Sequence, residues 1–318
     1  MQHLKTIMNK FAFLFPGQGS QSVGMMAGLS DGTSSVSTTV RNTFVEASDI
    51  LGQDFWAMAT EPNEAINETT NTQPIMLIAG IATWRAWQAT TEEQPSVLAG
   101  HSLGEYTALV ASGALSFAEA LPLVRYRAEV MQSAVPAGVG AMAAILGLDD
   151  EVVREVCAEA AQNEVLEAVN FNSPGQVVIA GNKAAVERGM ELAKAKGAKR
   201  ALPLPVSVPS HCALMKPAAV KLAEYLKNIT INIPQISVIQ NADVLAFHAG
   251  DKIKDALVRQ LYSPVRWVET VQAIHAQGIT QAAECGPGKV LAGLTKRIVA
   301  DLPCVALVNH TAFTELQA

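Results

Sequence analysis

The chain predicts an α/β fold: a mostly parallel sheet flanked by helices, with a small ferredoxin-like subdomain inserted into it. Strand and helix patterns alternate on both sides of residues 138–206, the order that builds a parallel sheet covered by helices. Within 138–206, six elements read strand, helix, strand, strand, helix, strand, which is the split βαβ order. Gly100-His101-Ser102-Leu103-Gly104 stands where a strand turns into a helix, the setting of a G-x-S-x-G nucleophile elbow. The expected division is a large domain from 1–137 and 207–318, and a small one over 138–206.

In chain order, Phe11–Phe15 is a short apolar run that reads as a buried first strand, followed by the tight loop Pro16-Gly17-Gln18-Gly19-Ser20-Gln21. That loop is neither a dinucleotide fingerprint nor a P-loop, because the third glycine is misplaced and no Gly-Lys-Ser/Thr follows. Residues 31–39, rich in Gly, Ser and Thr, read as a mobile surface loop, and 44–55 as a helix. Thr72-Gln73-Pro74 opens an apolar core helix over 75–87. Residues 96–99 form a buried strand and 103–111 a helix closed by Gly113. Ser116 caps a helix to about residue 134, with Glu119 completing a capping box.

Residues 136–140 read as a hinge. Beyond it come a strand over 141–146, a helix over 149–162, strands over 165–171 and 176–180, a helix from Asn182 to about 196, and a strand over 199–205. The remainder reads as helix 211–226, strand 236–239, helices 252–261 and 268–277, strand 280–284, helix 288–300 and strand 304–308.

With 49% apolar and 16% charged residues over 318 positions, the chain is globular and long enough for a sizeable core. A net charge of -6 argues against general nucleic-acid binding. Cys157, Cys212, Cys285 and Cys304 are scattered without metal spacing, as expected for reduced thiols in a cytoplasmic protein. The run Phe11–Phe15 is too short for a signal-peptide core, and no apolar stretch is long enough for a bilayer. Neither membrane nor metal is expected, and a monomer is.

The elbow explains its own spacing. Side chains two positions either side of Ser102 would collide, so glycine stands at 100 and 104. The turn lifts the hydroxyl clear of the sheet, and the helix start offers free N–H groups to an oxyanion. A serine hydroxyl needs a base, most often histidine. Of the six histidines, His3 is in a tail, His101 is beside the serine in a structural position, His248 is in a polar loop, His275 in a helical pattern and His310 near the end. His211, after Val208-Pro209-Ser210 at a loop-to-helix junction, suits a cleft, although a lone histidine at such a position is more often a cap or a core partner. Lys194, Lys196, Lys199 and Arg200 form a basic run around Gly197. It either offsets a helix dipole or steers an acidic partner.

An ordered set of motifs then resembles one family. Phe15-Pro16-Gly17-Gln18-Gly19-Ser20-Gln21, Thr72-Gln73-Pro74, Gly100-His101-Ser102-Leu103-Gly104-Glu105-Tyr106, Val208-Pro209-Ser210-His211 and Gly286-Pro287-Gly288-Lys289 are similar to those of the malonyl-CoA:acyl-carrier-protein transacylases of fatty-acid synthesis. The likeness spans about 11–308, and it implies a hydrolase-like large domain carrying the ferredoxin-like insertion. It further implies Ser102 as nucleophile, His211 as general base, and the main-chain carbonyl of Gln260 in place of a triad carboxylate. The Leu103 and Gln18 N–H groups become the oxyanion hole, and Arg127 grips the malonyl carboxylate. Arg125 stays a solvated helix charge, and Ala128 departs from a position where the family often has glycine.

The implied substrates are malonyl-CoA, a coenzyme A thioester, and acyl carrier protein, with no cofactor. Two oxyanion donors are worth roughly 3 kcal/mol each, and a guanidinium fork grips a carboxylate as lysine cannot. The rivals are a serine esterase or thioesterase recruiting Asp243 or Asp301 with His310, an acyltransferase of a polyketide pathway, and a non-catalytic acyl-binding subunit.

Overall fold

The computed structural model describes residues 10–206 and 208–317; the expectation for His3 lies outside them. In chain order the elements are β1 (Phe11–Phe15), α1 (Ala27–Ser30), α2 (Ser35–Leu51), α3 (Phe55–Thr60), α4 (Thr69–Gln88), β2 (Val97–Gly100), α5 (Gly104–Ala111) and α6 (Phe117–Gln132). Then come β3 (Gly140–Leu146), α7 (Asp150–Ala161), β4 (Leu166–Ser173), β5 (Gln176–Asn182), α8 (Lys183–Ala195) and β6 (Arg200–Pro203). The chain finishes with α9 (Lys216–Leu226), β7 (Ser237–Ile239), α10 (Gly250–Gln260), α11 (Trp267–Ala276), β8 (Gln281–Glu284), α12 (Val290–Ile298), β9 (Cys304–Ala306) and α13 (His310–Gln317).

The larger sheet runs β7-β2-β1-β8-β9, and its pairs are all parallel. β1 lies at its centre with every residue buried, because helices cover both faces. β1 pairs with β2 on one side and β8 on the other, so the chain reverses direction across the sheet there. A crevice opens at such a point, outside the carboxyl ends of the strands. The smaller sheet is antiparallel with the order β4-β5-β3-β6. Counted within the insertion that is 2-3-1-4, the ferredoxin-like arrangement expected. Its helices α7 and α8 bury Val153, Val156, Ala185 and Val186 against one face. The other face carries Met142 and Val178, which pack around Cys212.

Several expectations need correction. Residues 35–39 are not a mobile loop but the first turn of α2. Ser34 caps that helix by accepting from the Ser37 N–H, and Val36, Val40, Phe44 and Ala47 form one buried stripe. Apolar helical spacing outweighs the Ser/Thr composition that suggested a loop. The helix expected over 44–55 divides at Gly52, which caps α2 in the left-handed conformation. His211 is not helical: it has φ +68, a short 3-10 turn spans Ala213–Met215, and α9 starts only at Lys216 with Pro217 in its first turn. Arg125 is not a solvated charge, since it donates to Gln53 Oε1 at 2.5 Å and to the Leu51 carbonyl at 3.2 Å, tying α6 to the end of α2. The closing helix α13 was not anticipated. Among the described residues no helix is long and apolar enough to cross a membrane.

Candidate active site

Ser102 sits at the carboxyl end of β2 with φ +52. The turn is as tight as its spacing demands: a Cβ on Gly100 would meet the Gly104 carbonyl carbon at 1.9 Å, and one on Gly104 would meet the Phe15 carbonyl oxygen at 2.0 Å. The hydroxyl opens into a cavity of about 380 Å³ whose walls include Gln18, Gln73, Arg127, Met142, Leu204 and His211. The elbow after β2 and strands β3 and β4 of the smaller sheet therefore both contribute to its lining.

Ser102 Oγ lies 2.8 Å from His211 Nε2. The other ring nitrogen, Nδ1, is 2.8 Å from the Gln260 carbonyl oxygen, which can only accept, so Nδ1 carries the proton. Nε2 is then the acceptor, and the serine hydroxyl donates to it. Burial, and next the Arg127 charge, push the His211 pKa down to about 3. The imidazole is therefore neutral, and its pKa is far from the unperturbed value of about 6.5 that the residue type suggests.

Arg127 projects from α6 and is 1% exposed. Its Nη1 donates to Gln73 Oε1 at 2.6 Å, and its Nη2 to Gln260 Oε1 at 2.9 Å and to Ser102 Oγ at 3.3 Å. All of these acceptors are neutral, and Nε has no partner among the described residues. A guanidinium taken out of water without a contacting carboxylate is poised for an anion. Neither Gln18 nor Leu103 spends its N–H on a backbone acceptor among the described residues. Both line the cavity with Ser102.

Sequence reasoning missed three participants. Gln73, inside the quoted Thr72-Gln73-Pro74, orients Arg127. Asn241 accepts from the Ser102 N–H and donates to the Gly100 carbonyl. Glu105, fully buried, accepts from the Asn241 N–H, and burial raises its pKa to about 7. Gln73 and Glu105 fell within recognised motifs, whereas Asn241 carried no local signal. His101 was expected to be structural; it lines the cavity, with Nε2 2.8 Å from Asn172 Oδ1.

The Ser, acid, His order expected of an esterase is not assembled. Asp243 pairs with Arg259 at 2.6 Å, and His310 lies half-exposed 3.5 Å from Asp31. Among the described residues no group of three or more His, Cys, Asp or Glu could hold a metal ion.

A family model described as acyl transferase domain matches residues 12–307. The malonyl CoA-acyl carrier protein transacylase of Escherichia coli is 56% identical over 306 residues, covering 96% of this chain and 98% of the relative. That of Bacillus subtilis is 45% identical over 304 residues, covering 94% of each. The crystal structure of an acyl-carrier-protein S-malonyltransferase from Burkholderia pseudomallei superposes with a TM-score of 0.93 at 59% identity, covering 96% of this chain and 99% of the other. A type II PKS acyl-carrier protein in complex with its malonyl-transacylase gives 0.93 at 53% identity, covering 96% and 98%.

Proposed function

The chain belongs to the acyl transferase family, and on that premise we propose that it carries malonyl groups from malonyl-CoA to the phosphopantetheine thiol of an acyl carrier protein in fatty-acid synthesis. The observation that supports this most is the pairing of a serine–histidine couple at 2.8 Å with a buried guanidinium 3.3 Å from the same hydroxyl.

In the proposed reaction Ser102 Oγ attacks the thioester carbonyl while His211 Nε2 takes its proton. The Gln18 and Leu103 N–H groups receive the oxyanion. The C–S bond breaks, His211 returns the proton to the departing thiolate, and malonyl-serine remains. The carrier thiol then attacks that ester by the reverse sequence, again through His211. Arg127 holds the free carboxylate throughout. Pairing with that carboxylate offsets the second cause of the low His211 pKa, so substrate binding makes the base stronger. Neither half-reaction uses a metal or redox cofactor.

The proposal includes a monomeric, cytoplasmic enzyme that binds neither membrane nor nucleic acid. It keeps the division into 1–137 with 207–318 and 138–206, which the separate apolar cluster of α7, α8 and their sheet supports.

Intact mass after incubation with malonyl-CoA tests the first half-reaction. The wild type gains one malonyl mass and Ser102→Ala none; an adduct of comparable yield on the mutant overturns the assignment. Added carrier protein then removes the adduct and becomes malonylated. One comparison favours a second reading, in which the carrier belongs to a polyketide pathway. Relative kcat/KM for the two kinds of carrier protein decides between them.

A further inference from the structure

We propose that Asn241, seated by Glu105, is a positioning residue for the nucleophile. Its carboxamide holds the elbow in the turn that aims Ser102 Oγ at His211 and leaves the Leu103 N–H free for the oxyanion. The inference rests on the catalytic reading of Ser102 given above.

The backbone pairing of β2 with β7 ends at Ala99↔Ile239. Beyond that point a single side chain continues the ladder: Asn241 Nδ2 donates to the Gly100 carbonyl at 2.6 Å, and Oδ1 accepts from the Ser102 N–H at 2.7 Å. Asn241 thus bridges the residue before His101 and the nucleophile itself. Ser102 is held at φ +52, a conformation that a Cβ disfavours. On its other side the Ser102 carbonyl accepts from Gln260 Nε2 at 3.0 Å. Both backbone polar groups of the nucleophile are therefore tied by side chains, and its N–H is not available to a substrate.

Asn241 is fully buried, and its own N–H donates at 2.7 Å to Glu105 Oε2 in the first turn of α5. Glu105 therefore links the helix that follows the elbow to the residue that grips it. Residue identity matters here. Aspartate could accept from Ser102 but would set a lone pair against the Gly100 carbonyl, and alanine would leave both groups unpaired.

The test measures two rate constants on folded protein: single-turnover acylation by saturating malonyl-CoA, and labelling of Ser102 by a fluorophosphonate, which needs no carboxylate recognition. Asn241→Ala lowers both on the order of 100-fold, with KM for malonyl-CoA changed by less than about threefold. Asn241→Asp, which keeps the shape, lowers both by about tenfold or more and decides the question should the alanine variant not fold. Glu105→Ala slows both reactions by about tenfold, and Glu105→Gln, whose amide oxygen still accepts from Asn241, recovers most of the loss. A merely structural clamp would lower stability while leaving these rate constants and their rescue unmoved. Asn241 variants within about threefold of wild type in both rates, or Glu105→Gln as slow as Glu105→Ala, overturn the inference. A wild type that labels with fluorophosphonate yet accepts no malonyl group overturns the malonyl reading instead, and the label still tests the clamp.

Discussion

The roles proposed for His211 and Arg127 rest on burial together with their partners. The Gln260 carbonyl settles the tautomer of His211, and the Arg127 charge helps to keep the ring neutral. His211→Ala should slow single-turnover acylation by on the order of 10²–10⁴-fold, whereas alanine at His248, His275 or His310 should leave it near wild type. Since burial holds the His211 pKa near about 3, kcat/KM for self-acylation should stay flat as pH falls from about 8 to about 5. An acid limb centred near 6.5 that persists in Glu105→Gln would mean that the base titrates as an exposed histidine does. Arg127→Ala removes the proposed carboxylate fork but not the serine. It should cost malonyl-CoA on the order of 2–5 kcal/mol, the loss expected when one partner of a buried charge pair is truncated. Competition between malonyl-CoA and acetyl-CoA reads that loss directly, and an unchanged selectivity ratio would put carboxylate recognition on another residue.

The basic run at the end of α8 divides into paired and exposed members. Lys194 pairs with Glu191 at 2.9 Å and Lys196 with Glu159 at 3.3 Å, so these two serve the helix surfaces. Lys199 and Arg200 remain exposed at the start of β6. Arg200 lies opposite Leu146 of β3, four residues along the strand from Met142 in the cavity wall, or roughly 13 Å. At that distance they can act on an acidic carrier protein through its field but cannot touch the transferred group. Reversing both to Glu should raise KM for carrier protein and weaken its salt dependence, with self-acylation by malonyl-CoA unaffected. Measuring both half-reactions at two ionic strengths checks this; an unchanged carrier KM and salt slope would leave them as surface charges.

Buried titratable groups couple the stability of the molecule to pH in opposite senses. Glu284, at the end of β8, accepts from the Ala292 N–H of α12, and burial raises its pKa to about 7. The folded state therefore holds this proton where the unfolded chain has lost it, so its stabilising contribution is full below the unfolded value of about 4.3 and is lost as pH rises through about 7. His211 runs the other way: its folded pKa is depressed, so its contribution is present above about 6.5 and is lost as pH falls toward about 3. Glu284→Gln keeps the acceptor without the charge. Its melting temperature relative to wild type should rise between about pH 5 and pH 7 and level off by about pH 8, and a constant difference would show that Glu284 does not titrate in that window. The elbow, the succession of the strands and the ferredoxin-like insertion were legible in the sequence, because each follows from local sterics, periodicity and chain order. Leu103, Gln18, Arg127 and Gln260 were reached only through motif resemblance, and His211, singled out by its position after Val208-Pro209-Ser210, was given its role by that resemblance. Residues 35–39 read as loop because their composition is local, while the buried stripe they begin answers to α4 and the core. Asn241 lay beyond local reading altogether: it meets Ser102 across 139 residues and Gly100 across 141. Contacts of that separation, and the burial that sets the His211 and Glu105 pKa values, exist only once the sheets have packed, since the partner and the dielectric are both supplied by distant chain.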